Sequence, residues 1–164
     1  MLNKIIFLFV TLFGIGKIKK IPGSLASLTT TIFLFFLFHF LNLSPEIFLL
    51  SLILIFFISL YAVNIFIKDL DNKDPKEVVI DEFIGQSIPI SLYEIAHDVE
   101  KDTSQILTSY FLMFILFRIF DIVKPYPVSY YDKNFKNSFG VIMDDIAAGL
   151  YVVAVLVLYM VIIQ

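Results

Sequence analysis

From Pro45 to Ile67 the chain runs for 23 residues with one charged group, Glu46, at its start. As a helix this run covers roughly 35 Å, more than the ~30 Å hydrocarbon thickness of a bilayer. In lipid every backbone group must bond internally, so a stretch of this kind is read as a spanning helix. Four more apolar runs follow the same logic, at 24–43, 78–93, 103–123 and 144–163. Apolar residues make up 59% of the chain and charged residues 16%, with a mean hydropathy of +0.91. A soluble domain carries about 25% charged residues and less apolar surface. Disorder and an ordinary soluble fold are therefore excluded. The expected fold is all-α, a polytopic membrane helix bundle of about five spans in one domain over 1–164. The run at 5–13 is too short to cross. No small-residue cleavage site follows it, and a short helix at about 3–16 lying in the interface is expected in place of a cleaved signal.

With no cysteine in the chain, disulfides, thiolate metal sites and cysteine nucleophiles are ruled out. A net charge of -3 with scattered basic residues argues against nucleic acid as a partner. The basic residues instead predict orientation. Lys17, Lys19 and Lys20 precede the first span and the turn after it has none, so that span should run outwards from the cytoplasm. Alternation then puts Lys68, Lys73, Lys76, Arg118, Lys124, Lys133 and Lys136 inside with Lys4, and Lys101 alone outside, in the acidic 94–102 loop. Eleven of twelve basic residues thus share one side, although only the first loop pair set the orientation. Gln164 should lie outside. The third run, with Asp81, Glu82, Gln86 and Pro89, is the short one: sixteen residues span ~24 Å, so it is expected to be tilted, kinked or re-entrant, and were it not to cross, the acidic loop would fall inside and the last two spans would invert.

On this topology the acids that interrupt apolar sequence fall at one depth. Asp81 and Glu82 open the third span, Arg118 and Asp121 close the fourth, and Asp144 and Asp145 open the fifth. Capping of a helix start accounts for an acid such as Asp144 after a turn at Gly140. It does not account for Asp121 at a helix C-terminus, where an ion pair with Arg118 one turn earlier is the simple explanation. Five carboxylates at one level in a membrane call for cations. Oxygen-only ligands predict a hard ion such as Mg²⁺, completed by substrate phosphate. His39 and His97 are the only histidines, which argues against zinc, and both are expected to be non-catalytic. Gly85 and Gly149 each follow an acid by one turn and should serve close helix packing. Lys124, ahead of Pro125 and Pro127, either binds phosphate or anchors the topology.

The segment 117–150, FRIFDIVKPYPVSYYDKNFKNSFGVIMDDIAAGL, resembles the C-terminal signature of the phosphatidylglycerophosphatase A family: FRxxD with Arg118 and Asp121, KPxP from Lys124 to Pro127, and MDDxxAG from Met143 to Gly149. VIDEFIG at 79–85 is similar to the family's VxDEFIG, and PGSLASL at 22–28 to its PGTxGSL. Ala26 stands where glycine is usual, and 137–140 is poorer in glycine than the family's loop. The resemblance implies a Mg²⁺-dependent membrane phosphatase that converts phosphatidylglycerophosphate to phosphatidylglycerol and phosphate in phospholipid biosynthesis. It implies the bacterial inner membrane, with the site facing the cytoplasm and open to the bilayer for the acyl chains.

On that reading Asp81, Glu82, Asp144 and Asp145 hold the metal, with Asp121 as a further ligand or a base. Arg118 and Lys124 hold phosphate oxygens, and the N–H groups of Gly23 and Ser24 add an anion site at a helix start. Asp69-Leu70-Asp71 has the spacing of an aspartyl-phosphate motif without its threonine and is expected to be a solvated loop. A CDP-alcohol phosphatidyltransferase would share the metal and the helices, but its DGxxAR…GxxxDxxxD pattern is absent. A non-catalytic ion-binding subunit would place its charges mid-span. Oligomeric state is not legible.

Overall fold

The computed structural model describes residues 2–96 and 102–163; His97, Lys101, the centre of the acidic loop and Gln164 lie outside the described residues. The described residues form seven α-helices and no strand: α1 (Leu2–Val10), α2 (Pro22–His39), α3 (Pro45–Ile67), α4 (Ile80–Ala96), α5 (Thr103–Val123), α6 (Val128–Asn134) and α7 (Ser138–Ile163). Four of them, α2, α3, α5 and α7, are long and apolar enough to cross a bilayer. The fifth expected span, α4, is 17 residues long, or ~25 Å. It occupies the middle of the bundle, packed on α2, α3, α5 and α7. Its residues Asp81, Gln86, Ser87 and Ser91 are buried with Ile80, Ile84 and Ile90, which explains its weak hydropathy: α4 faces protein, and its neighbours supply the apolar coat.

Local chemistry sets the element ends. At α3 the Ser44 hydroxyl accepts from Ile47 N–H at 3.3 Å and Pro45 fills the first turn, where its missing N–H costs nothing. The outward face of α3 is a row of exposed apolar residues, Leu50, Ile53, Leu54 and Phe57 among them, as a lipid-facing helix requires. Over the first half of α2 the buried stripe is small, Gly23, Ala26, Ser27, Thr30 and Thr31, and only further along does it turn large with Leu34 and Phe38. Ser27, Thr30 and Thr31 donate to the carbonyls one turn back at 2.8–2.9 Å, so buried hydroxyls are satisfied within the helix. Small side chains there let α4 and α5 approach.

Three expectations change. The N-terminal helix stops at Val10, short of residue 16, because Leu12 and Phe13 take left-handed backbone conformations and Gly14 continues the turn. It leans on α3, with the rings of Phe7 and Phe66 6.1 Å apart, and its Val10 carbonyl accepts from Val79 N–H at 2.9 Å. The connection after α5 contains an unforeseen helix, α6, packed on α7. The last helix begins at Ser138, not at Asp144. The Asn137 side chain accepts from Gly140 N–H at 3.0 Å and its carbonyl from Val141 N–H at 3.2 Å, so the chain enters the helix at Asn137. Gly140 is then inside the helix, where a side chain would overlap the Phe135 carbonyl. Asp144 and Asp145 consequently sit in the second turn, and capping does not explain them.

The crossing of α4 and α7 is set by two glycines. A Cβ on Gly85 would lie 2.6 Å from the Asp145 carbonyl oxygen, and one on Gly149 would overlap the Gly85 carbonyl. Backbone on backbone leaves no flexible group to yield. Gly149→Ala is therefore expected to force the helices apart and destabilise the protein by about 1–3 kcal/mol, read as a fall in thermal midpoint in detergent. Because the same crossing brings Asp145 to Asp81, activity should fall with it. An unchanged midpoint would show that the helices separate freely.

Candidate active site

The first turn of α4 carries Asp81 and Glu82, and the second turn of α7 carries Asp145. Across the glycine crossing these three carboxylates each offer an oxygen, all within 4.8 Å of one another. Asp81 and Asp145 are buried, and Glu82 Oε2 is enclosed without a hydrogen-bond partner. Like charges this close repel by roughly 4 kcal/mol per pair at an effective dielectric near 20. The fold holds them together all the same.

Two basic side chains close the wall, both from the end of α5. Arg118 Nη1 lies 2.6 Å from Asp121 Oδ2 and 3.8 Å from Glu82 Oε1, and donates to Ser27 Oγ on α2 at 3.3 Å. Its Nε is buried with no partner. Lys124 ends α5 in a left-handed conformation and donates to Asp144 Oδ2 at 2.7 Å and Asp132 Oδ1 at 2.8 Å. Burial works against the Lys124 ammonium, but the hydrogen bonds to Asp132 and Asp144 outweigh it and raise its pKa. Partial burial likewise opposes the Asp132 charge, yet Lys124, helped by Lys136 and Lys133, holds that carboxyl below its usual range.

Gly23 and Ser24, in the first turn of α2, complete the enclosure. A side chain on Gly23 would overlap Glu82 Oε1 and come within 3.3 Å of Arg118 Nη1. Glycine is required there because the helix start touches the carboxylate directly. The result is one cavity of about 540 Å³, and all nine residues singled out in the sequence line it: Gly23, Ser24, Asp81, Glu82, Arg118, Asp121, Lys124, Asp144 and Asp145. They do not form one undivided cluster. Asp144 turns to Lys124, away from the three converging carboxylates, since neighbouring residues on a helix point about 100° apart. Asp121 is engaged by Arg118. His39 lies elsewhere, 3.4 Å from Glu94 Oε1 and with its ring tilted against that of Tyr110, centroids 6.0 Å apart.

The donor set decides which ion fits. Three carboxylates, no sulfur, no imidazole and one unpartnered buried oxygen suit a hard divalent cation. Asp74 also lines the cavity, with Lys19 and Lys76, so six acids face four bases and the wall is negative by two; a cation is also what the charge balance lacks.

Residues 8–160 match the family model described as phosphatidylglycerophosphatase A. The chain belongs to the phosphatidylglycerophosphatase A family. It is 35% identical to the phosphatidylglycerophosphatase A of Haemophilus influenzae over 87% of this chain and 81% of that one. Identity to the phosphatidylglycerophosphatase A of Escherichia coli is 31%, over 84% and 73%. A Bacteroides thetaiotaomicron protein named "Putative phosphatidylinositol-3-phosphatase" is 33% identical over 85% and 83%. No solved structure matches. As a phosphatidylglycerophosphatase A family member the chain is a phosphoric monoester hydrolase with membrane-crossing helices.

Sequence reading missed part of this family member's site. Asp132, on the unforeseen α6, is the second partner of Lys124. Lys19 and Lys76, counted only for orientation, stand at the cavity with Asp74. Lys19 lies three residues before the Pro22-Gly23 start of α2, and Lys76 five before Asp81, which is the signal that could have drawn them in.

Proposed function

We propose that the protein hydrolyses the terminal phosphate monoester of phosphatidylglycerophosphate, releasing phosphatidylglycerol and inorganic phosphate, with Mg²⁺ as cofactor and in phospholipid biosynthesis. The observation that carries this is the convergence of Asp81, Glu82 and Asp145 opposite Arg118 in one cavity between apolar helices. Asp81, Glu82 and Asp145 would hold the cation. When bound, Mg²⁺ supplies Lewis-acid neutralisation of the phosphoryl charge.

The chain's own residues supply position. Arg118 is anchored to Asp121 through Nη1 and keeps unspent donors for phosphate oxygens, in a fork that lysine cannot reproduce. Lys124 spends two of its three N–H donors on Asp132 and Asp144 and has one left for the same phosphate. Asp144 and Asp132 thus orient a phosphate-binding ammonium. The first N–H groups of α2, at Gly23 and Ser24, have no acceptor inside the helix and lie at its positive end. Burial of the site between helices limits water around the reacting phosphorus and strengthens each of these contacts.

The direct test is phosphate release from phosphatidylglycerophosphate in mixed micelles, with Mg²⁺ and with chelator. Turnover that needs Mg²⁺ is expected; none with Mg²⁺, while a known phosphatase works in the same micelles, overturns the proposal. Phosphatidylinositol 3-phosphate belongs in the same assay because of the Bacteroides relative, and preferential cleavage of it would reassign the headgroup.

The proposed location is the bacterial inner membrane with the cavity facing the cytoplasm, supported by the eleven basic residues expected on that side and by relatives from bacteria. As the chain has no cysteine, a single Lys133→Cys variant can report the side. Labelling by an impermeant maleimide in inverted vesicles, and none in intact spheroplasts, is expected; the reverse pattern turns the molecule over.

A further inference from the structure

A second cavity, about 260 Å³, lies between α2 and α5. Its rim consists of Leu28, Ile32 and Phe35 on α2 and Leu107, Phe111 and Phe114 on α5, and its floor of Thr31 and Tyr110. Both floor hydroxyls are occupied elsewhere: Thr31 donates to the Ser27 carbonyl at 2.8 Å and Tyr110 to Glu94 Oε1 at 3.0 Å. The groove therefore presents carbon alone.

Its place in the fold connects it to the active site. Leu28 is one turn along α2 from Ser24, and Phe114 one turn back along α5 from Arg118, so each pair shares a helix face. Ser24 and Arg118 line the polar cavity, Leu28 and Phe114 the apolar groove. Where the two meet, Arg118 bridges to Ser27 of α2. The polar cavity is flanked on this side by Ile21 and Ile122, 66% and 68% exposed, one before α2 and one at the end of α5. A phosphate would thus sit at the head of a carbon-lined furrow. From Ser24 to Phe35 the furrow runs eleven residues, ~16 Å of helix, close to half the ~30 Å hydrocarbon thickness.

Resting on the phosphatase reading above, the geometry points to the α2–α5 groove as the seat of one acyl chain of the lipid phosphate substrate. One leaflet's depth, an all-carbon surface and a start at the phosphate cavity specify a single chain tethered to a bound headgroup. Bulk lipid has the exposed face of α3 to cover. A lipid tail is already in an apolar medium, so the groove contributes little transfer free energy. Its contribution is orientation: a seated chain fixes the direction from which the headgroup enters between Arg118 and the carboxylates.

The test compares long-chain and short-chain forms of the same lipid phosphate. Leu28→Trp fills the groove next to its junction with the cavity. It is expected to lower the ratio of long-chain to short-chain kcat/KM about tenfold, while Ile53→Trp, on the exposed face of α3, leaves the ratio unchanged. If the wild-type protein cleaves both substrates and Leu28→Trp leaves the ratio where it was, the groove is not the seat and the phosphatase reading stands. If the wild type cleaves neither, both fall. A measurement on the unaltered protein guards against misfolding of the variant. A lipid phosphate with a photoreactive group in mid-chain should label α2 and α5 peptides, whereas a phosphocholine lipid with the same chain labels α3 at least as strongly. Identical labelling by the two lipids overturns the assignment.

Discussion

Asp145→Asn is expected to reduce phosphate release by more than about a hundredfold, since even a residue supporting a metal ligand changes activity by 10–100-fold, while the protein keeps or gains stability without added metal. The two halves of this result have one cause. Asp145 is buried within 4.8 Å of two other carboxylates, so neutralising it removes a repulsion and a site together. Thermal midpoints with and without Mg²⁺ separate the terms. The wild-type protein should be stabilised by Mg²⁺, by about 2.7 kcal/mol at a hundredfold excess over Kd, and Asp145→Asn should lose most of that increment. Lost activity with an intact Mg²⁺ increment would place Asp145 outside the metal site. Asp144→Asn gives the contrast: its partner is Lys124 at 2.7 Å, so the Mg²⁺ increment should survive while KM rises.

Arg118→Ala is expected to be the most damaging single change, costing stability and turnover at once. The side chain joins three helices, reaching Asp121 on its own helix, Glu82 on α4 and Ser27 on α2. Its removal leaves partly enclosed acids uncompensated, a defect of about 3 kcal/mol, and deletes the forked donor proposed to hold the phosphate, worth roughly 10³-fold where an arginine stabilises phosphoryl transfer. The double variant Arg118→Ala/Asp121→Asn separates the effects. It should recover a large part of the stability, because the acid closest to the lost guanidinium is no longer charged and only Glu82 stays uncompensated, and none of the activity. Recovery of activity would mean that Arg118 serves only to neutralise Asp121. Arg118→Lys should restore charge without the fork and remain well below wild-type turnover.

How much was legible beforehand depends on whether the signal is local. The start of α3 and the end of α5 were readable, because Ser44-Pro45 opens one and Lys124-Pro125 closes the other. The start of α7 was not. Gly140 reads as a turn in isolation, and only the Phe135 carbonyl lying against it explains why a helix needs glycine there. The seven residues of α6 carry no apolar period long enough to register. Of the nine residues singled out, the five acids and Arg118 stood out as polar interruptions of apolar sequence, and Gly23, Ser24 and Lys124 by their helix-end positions and motifs; all nine line one cavity. Their division of labour was not identifiable. Asp144 and Asp145 are equivalent as letters, yet α7 turns one to Lys124 and the other to Asp81 and Glu82. Asp132, a partner from an unforeseen helix, gave no sign at all.

The sequence by itself determined a helical membrane bundle, the extent of its longest spans, the membership of the family and the identity of the acids that lipid would not tolerate unpaired. These depend on composition, on runs of apolar residues and on short motifs, all properties of neighbours along the chain. The pairing of Asp121 with Arg118, one turn apart, was legible too; which partner each of the other acids meets was decided only by the tertiary structure. Asp81 and Asp145 are 64 positions apart, and their approach is set by two glycines that remove every atom between the backbones of α4 and α7. A distance of that kind is fixed by packing across helices: Gly85 and Gly149 announced a close approach in the sequence, but nothing among their chain neighbours says which helix approaches.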